Sequence, residues 1–173
     1  MYDCTREDFS MTKQMNKPPE VRVVRLAPFR AVTSGLDDFE RVMGDFNAWQ
    51  EAHMPLVRPM LYGAPDFLFG EDGKAEWLWA VKDGVTEEDA RPYRLIDFEG
   101  GLYACATTVD GDDDLTACIH AAILKWIESS GFELDERPGH RTMYHMLNPE
   151  EELRAALGYD QTEIFVPVRM KQK

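Results

Sequence analysis

Apolar residues recur at three- and four-residue steps in two stretches of this chain. Between Asp37 and Met54 they are Phe39, Val42, Met43, Phe46 and Trp49, which predicts one helix with a single apolar stripe. Asp37 and Asp38 stand where an N-cap and a first-turn acid belong. Between Asp112 and Gly131 the period returns in Leu115, Cys118, Ile119, Ala122, Trp126 and Ile127. Elsewhere the pattern is β-like. Val21–Leu26 and Phe29–Thr33 form one strand region broken at Pro28, and Tyr93–Phe98 and Leu102–Val109 form another broken at Gly100-Gly101. Ala75–Lys82, Thr142–Leu147 and Thr162–Met170 read as further strands, and Met60–Tyr62 as a short one. Gly63–Gly73, interrupted by glycine and proline, reads as a loop. Pro149–Leu157 has a proline at its start, glutamates in its first turn and Gly158 after it, the marks of a short helix.

The chain therefore states one unit twice: strand, helix, strand, strand. Trp49 corresponds to Trp126, Tyr62 to Tyr144, and Glu76 to Glu163. The expected fold is α+β, with halves at roughly 21–84 and 92–173 related by a pseudo-twofold axis. An antiparallel sheet carries helices on one face, and a cleft between the halves is the natural place for a ligand. Residues 1–20 read as a separate arm or as one short helix, Arg6–Met15, that stops before Pro18-Pro19.

Composition narrows the function. At 173 residues the chain is long enough for one sizeable core. Its net charge of -13 argues against a nucleic-acid surface, which needs clustered Lys and Arg. The acid concentrates at Asp110–Asp114, Glu87–Asp89 and Glu150–Glu152, positions suited to caps and loops. No apolar run approaches bilayer length and no signal-peptide pattern opens the chain, so a cytoplasmic protein with no membrane partner is expected. Cys4, Cys105 and Cys118 are unevenly spaced without a CxxC, which predicts reduced thiols. His53, His120, His140 and His145 give neither HExxH nor an i, i+4 pair, so no metal and no cofactor is expected. Cys105 with His120 is a conceivable thiol–imidazole pair, although nothing in their spacing brings them together.

Four segments carry a family resemblance: VRVVRLAPFRAV from Val21, FEGGLYACATTVDG from Phe98, LTACIHAAILKWIESSGFEL from Leu115, and TMYHMLNPEEEL from Thr142 with its closing strand TEIFVPVRM. They resemble the GyrI-like small-molecule-binding family, the effector-binding domain of drug-responsive transcription regulators. The match is tightest from Arg94 to Lys171 and looser back to Val21. The resemblance implies a doubled fold with a central aromatic pocket for hydrophobic, often cationic, compounds. Only about twenty residues precede the domain, too few for a DNA reader, so a stand-alone member is expected. Such a member sequesters or senses a toxic compound. A branch of stand-alone members hydrolyses cyclopropane-bearing natural products, and a third possibility is a protein-interaction module of the gyrase-protection kind. The family's buried glutamate, two residues before the tyrosine of the penultimate strand, is replaced here by Thr142, which leaves Glu163 or Glu76 to supply the acid.

Strand alternation places Glu163 with Phe165, opposite Ile164, Val166 and Val168. The β-branched side suits packing on helices, so Glu163, Phe165, Tyr144 and Thr142 are expected on the ligand-facing side. Glu163 could equally be a solvated residue at a strand start. Trp77 and Trp79 read as helix-side core, but Trp79 also suits a flat aromatic ligand. Tyr62, Tyr103 and Phe46 complete the candidate lining. In the hydrolase alternative, Glu163 or Glu76 would handle the proton, and Tyr144 or a tryptophan the ring.

Overall fold

The computed structural model describes residues 19–58, 63, 66–71, 73–147 and 150–172. The proposed arm helix, Tyr62 and the strand Met60–Tyr62 lie outside these residues. The described strands are β1 (Arg22–Leu26), β2 (Phe29–Thr33), β3 (Asp37–Asp38), β4 (Asp66–Glu71), β5 (Lys74–Ala80), β6 (Arg94–Phe98), β7 (Gly101–Val109), β8 (Phe132–Leu134), β9 (Met143–Met146) and β10 (Gln161–Met170). They form one curled antiparallel sheet in the order β1-β7-β10-β9-β4-β5-β2-β6, with β3 added to β5 and β8 to β10. This order reads the same from both ends once β1 is matched with β6, β7 with β2, β10 with β5 and β9 with β4. The half-turn axis passes between β4 and β9, where Leu68 pairs with Tyr144.

The two halves exchange their edge strands. β1 pairs with β7 and β6 with β2, so each edge strand completes the half whose helix lies elsewhere in the chain. The breaks at Pro28 and Gly100-Gly101 are the points of exchange. Leu68 pairs with Trp77 as Tyr144 pairs with Ile164, and this register makes Glu76 and Glu163 true counterparts. Leu68, rather than Tyr62, is the counterpart of Tyr144. Its strand β4 falls in the stretch expected to be a loop. With Pro65 ahead of it and Gly70 within it, Asp66–Glu71 carries strong loop signals, and pairing with β5 along its whole length overrides them.

Helix α1 is α-helical over Phe39–Arg41, π-helical over Val42–Phe46 and α-helical again over Asn47–Ala52. Val42, Phe46 and Trp49 face the sheet with Val32, Trp79, Val81 and Leu95. Asp37 and Asp38 do not cap this helix through their side chains; they pair with Ala75 and Lys74 as β3. Helix α2 (Asp113–Ser129) does have an acidic cap, since Asp112 accepts the Leu115 N–H at 2.9 Å. It buries Ile119, Ile123 and Ile127 against Ala104, Ala106, Ile164 and Val166. Because Trp77, Leu68, Tyr144 and Ile164 are successive register partners, both helices lie on the same face of the sheet. Helix α3 (Glu151–Leu157) ends at Gly158 in the left-handed region, as its sequence indicated.

The β1–β2 exchange turn rests directly on Gly100. A Cβ there would lie 2.3 Å from the Leu26 carbonyl oxygen, and φ is +72°. Gly111 has a similar φ of +75° with open space around it. Gly111→Ala is therefore expected to cost about 1 kcal/mol, the conformational term alone, and Gly100→Ala about 3 kcal/mol, with the backbone clash added. Urea unfolding of the two variants checks this; equal losses would mean that the turn yields without cost.

Candidate functional site

The face without helices is lined by rings. Alternation sends Phe67 and Phe69 of β4, Leu78 of β5, Tyr103 and Cys105 of β7, Met143 of β9 and Phe165 of β10 to this side, where they form one buried cluster. The curl of the sheet brings the halves together there. Phe67 meets Phe165 edge-on at 5.8 Å between centroids and stacks on His145 at 5.0 Å. Tyr103 meets Phe165 at 6.0 Å. Phe67, Tyr103 and Phe165 are 1%, 0% and 0% exposed, so packed side chains fill the hollow expected along the seam.

Two carboxylates frame this aromatic patch from opposite corners. Glu163 pairs in register with His145, and Glu76 with Phe69. Their strands are three spacings apart, roughly 14 Å. Glu163 is 0% exposed. Its Oε1 accepts from Arg22 Nε at 2.9 Å and from a terminal guanidinium nitrogen at 2.5 Å, while Oε2 is buried without a hydrogen-bond partner. Glu76 accepts from Thr33 Oγ1 at 2.6 Å and from Arg141, whose guanidinium carbon lies 4.4 Å above the Phe69 ring. The Tyr103 hydroxyl is likewise buried without a partner. Burial pushes its ionisation upward, with the charge of Asp135 adding to the effect. Burial also raises the Cys105 thiol, and the Glu163 charge raises it further, so this cysteine stays protonated and unreactive.

Part of the patch is covered by the segment between β8 and β9. Asp135, 2% exposed, binds Arg137 through both carboxylate oxygens and has His140 Nδ1 at 3.1 Å. The Arg137 guanidinium holds the Asp135 carboxyl below the usual carboxylate range. His140 stacks over Tyr103 at 6.1 Å, and Arg141 follows onto Phe69.

Of the residues expected at the site, Glu163, Phe165, Glu76 and Tyr103 share the helix-free face. Tyr144 does not. Register partners share a face, and Ile164 opposite Tyr144 packs on α2, so Tyr144 goes with it. Met143 and His145 take the places beside Phe165 and Glu163 that alternation had assigned to Thr142 and Tyr144. Thr142 itself precedes β9 and is half-buried. Trp79 is core against α1, and Phe46 lines a small cavity of about 80 Å³ with Arg41 and Tyr93 on that same side. Cys105 and His120 lie on opposite faces, the latter on α2. Cys105 is a free thiol, whereas Cys118 is disulfide-bonded, against the expectation of three reduced cysteines. Among the described residues no group of three His, Cys, Asp or Glu side chains could hold a metal, and no helix is long and apolar enough to cross a membrane. Sequence reasoning missed Arg22 and Arg141, because the pairing of an edge strand and the path of a loop decide what an exposed-looking arginine reaches.

No protein-family model and no curated protein matches this sequence. Solved structures do match. SAV2435 bound to tetraphenylphosphonium is 17% identical, with 87% of this chain and 94% of that one covered and a TM-score of 0.51. A hydrolase from Listeria innocua is 15% identical over 92% and 97% with a TM-score of 0.62. The EcmrR C-terminal domain is 13% identical over 90% and 100%, also at 0.62. The chain shares their fold. The doubled sheet is consistent with a GyrI-like fold, as the glycine-broken strand and the closing TEIFVPV strand implied. At such identities the likeness is one of architecture.

Proposed function

We propose that this chain binds a hydrophobic small molecule on the helix-free face of its sheet, and that it serves to sequester or sense that compound. The observation that carries the reading is Glu163: a fully buried carboxylate on the face of Phe165 and His145, with one oxygen lacking any hydrogen-bond donor. An unsatisfied polar atom in such a place costs stability that a bound donor returns. The rings around it supply flat, apolar contact area at little conformational cost. The shared fold adds support, since SAV2435 holds tetraphenylphosphonium on the same architecture. Entry displaces the covering segment at His140, which stacks over Tyr103.

The test is a thermal-shift screen with aromatic compounds. A compound present at a hundred times its Kd stabilises by about 2.7 kcal/mol, a shift of several degrees for a chain of this size. At least one is expected to raise the melting temperature, and Glu163→Gln to diminish that shift. A flat response across a broad aromatic library would remove the reading. Chromatography of the same mixtures returns the compound intact from a binder, whereas a hydrated product would move the assignment to hydrolysis, the activity by which the Listeria innocua neighbour is named.

A further inference from the structure

We infer that the site selects neutral molecules bearing a hydrogen-bond donor, because each of its carboxylates already holds an arginine of this chain. The inference rests on the binding reading above and names its ligand class. Arg22 enters from edge strand β1, opposite Cys105, and spends two nitrogens on a single oxygen of Glu163. Arg141 arrives from the segment ahead of β9, binds Glu76, and lies over Phe69. A guanidinium stacked on a ring and paired with a carboxylate is the arrangement an aromatic-seeking cation would itself adopt. Here the protein supplies that cation.

The two arginines are not counterparts. The half-turn that exchanges Glu76 and Glu163 carries Arg22 onto Arg94, which pairs with Thr33 in the β2–β6 register just as Arg22 pairs with Cys105. Arg141 belongs to a covering segment rather than to an edge strand. Two equivalent acids are thus neutralised by two inequivalent bases, so each compensation stands independently of the repeat. An incoming cation meets no net negative charge at either corner and must expel a guanidinium from a short ion pair to gain one. A neutral O–H or N–H donor meets no such obstacle. It can bond Glu163 Oε2, which Arg22 leaves unused, while its apolar body takes the place of His140 over Tyr103. The Tyr103 hydroxyl, also buried and unpartnered, offers a second polar contact. Phenols, aromatic alcohols and neutral aromatic amides have this chemistry.

The decisive comparison uses probes of one shape. Titration calorimetry of the full chain is run with 3-tert-butylphenol, its isosteric cation 3-hydroxyphenyltrimethylammonium, and tert-butylbenzene, which lacks the donor. The phenol is expected to bind at least about tenfold more tightly than the cation, the discrimination being a difference between two affinities, and more tightly than tert-butylbenzene. Arg22→Gln and Arg141→Gln should each move the phenol-to-cation ratio toward the cation by about tenfold. Should Arg22→Gln not fold, Arg141→Gln carries the test, since that side chain is 36% exposed. Wild-type protein that prefers the cation, or arginine variants whose ratio stays put, would overturn the inference while leaving the binding reading in place. Absence of binding by all three probes, to wild type and variants alike, would overturn both.

Discussion

Phe165→Ala is expected to destabilise the protein by about 4 kcal/mol, the middle of the range for aromatic-to-alanine changes in cores. The ring is 0% exposed and touches both halves: Phe67 across the seam, Tyr103 on β7 and His145 on β9. Its loss opens a cavity at the point where the sheet curls onto itself, and the neighbouring rings belong to different strands that cannot all collapse inward. Ile123→Ala on α2 provides the comparison. Ile123 is equally buried, at 0%, but packs on the helix side, and should lose about 3–4 kcal/mol. The two variants differ in what restores them. A binder of the helix-free face should return part of the stability lost by Phe165→Ala, by filling the space vacated among the rings, as apolar cavities admit small aromatics. It should restore Ile123→Ala no more than it stabilises wild type. Urea melts of wild type and both variants, each with and without 3-tert-butylphenol, measure these differences. A loss below about 1 kcal/mol for Phe165→Ala would mean that the aromatic face is not core, since surface substitutions rarely exceed that.

The helix-free face also shows how far the sequence could be read. Within each strand, alternation was legible: Glu163 and Phe165 fall on one side and Ile164 and Val166 on the other, as the β-branched pattern indicated. The phase between strands was not. Nothing in Thr142–Leu147 says whether Tyr144 or His145 stands beside Glu163; only the pairing of Ile164 with Tyr144 decides it. The correspondence of Glu76 with Glu163 could be read because both open apolar strands, whereas that of Tyr62 with Tyr144 failed because β4 is written in loop-like residues. Its partner in the repeat is Leu68 instead. Helix α2 was legible to within a residue or two because its cap, its period and its length agree. Helix α1 was less so, since its π-helical turn shifts the stripe and its acids serve as β3. The exchange of β1 and β6 between halves is a non-local choice with no local signature, and with it the approach of Arg22 to Glu163 was out of reach.

Arg22→Ala is expected to cost about 3 kcal/mol, the lower end for breaking a buried ion pair, because Arg22 itself is half in solvent while Glu163 is wholly enclosed. The asymmetry between the partners makes a sharper prediction than the single value. Removing the arginine leaves a carboxylate beside Phe165 and His145 without its counter-charge. Removing the charge of the acid instead, with Glu163→Gln, leaves an arginine that is already 54% exposed, so that change should cost only about 1–2 kcal/mol. The double variant Arg22→Ala/Glu163→Gln should then resemble Glu163→Gln alone, giving a coupling of about 3 kcal/mol between the two positions. The same cycle at Arg141 and Glu76 should give less, about 1 kcal/mol, since both of those groups retain some contact with solvent. If the Arg22 cycle showed no coupling, Glu163 would not be held by Arg22 in solution. The charge compensation on which the ligand selectivity depends would then fall at its better-buried corner. A strong cycle at both corners would place two self-neutralised acids beneath one aromatic face, the arrangement that shuts out cations and admits neutral donors.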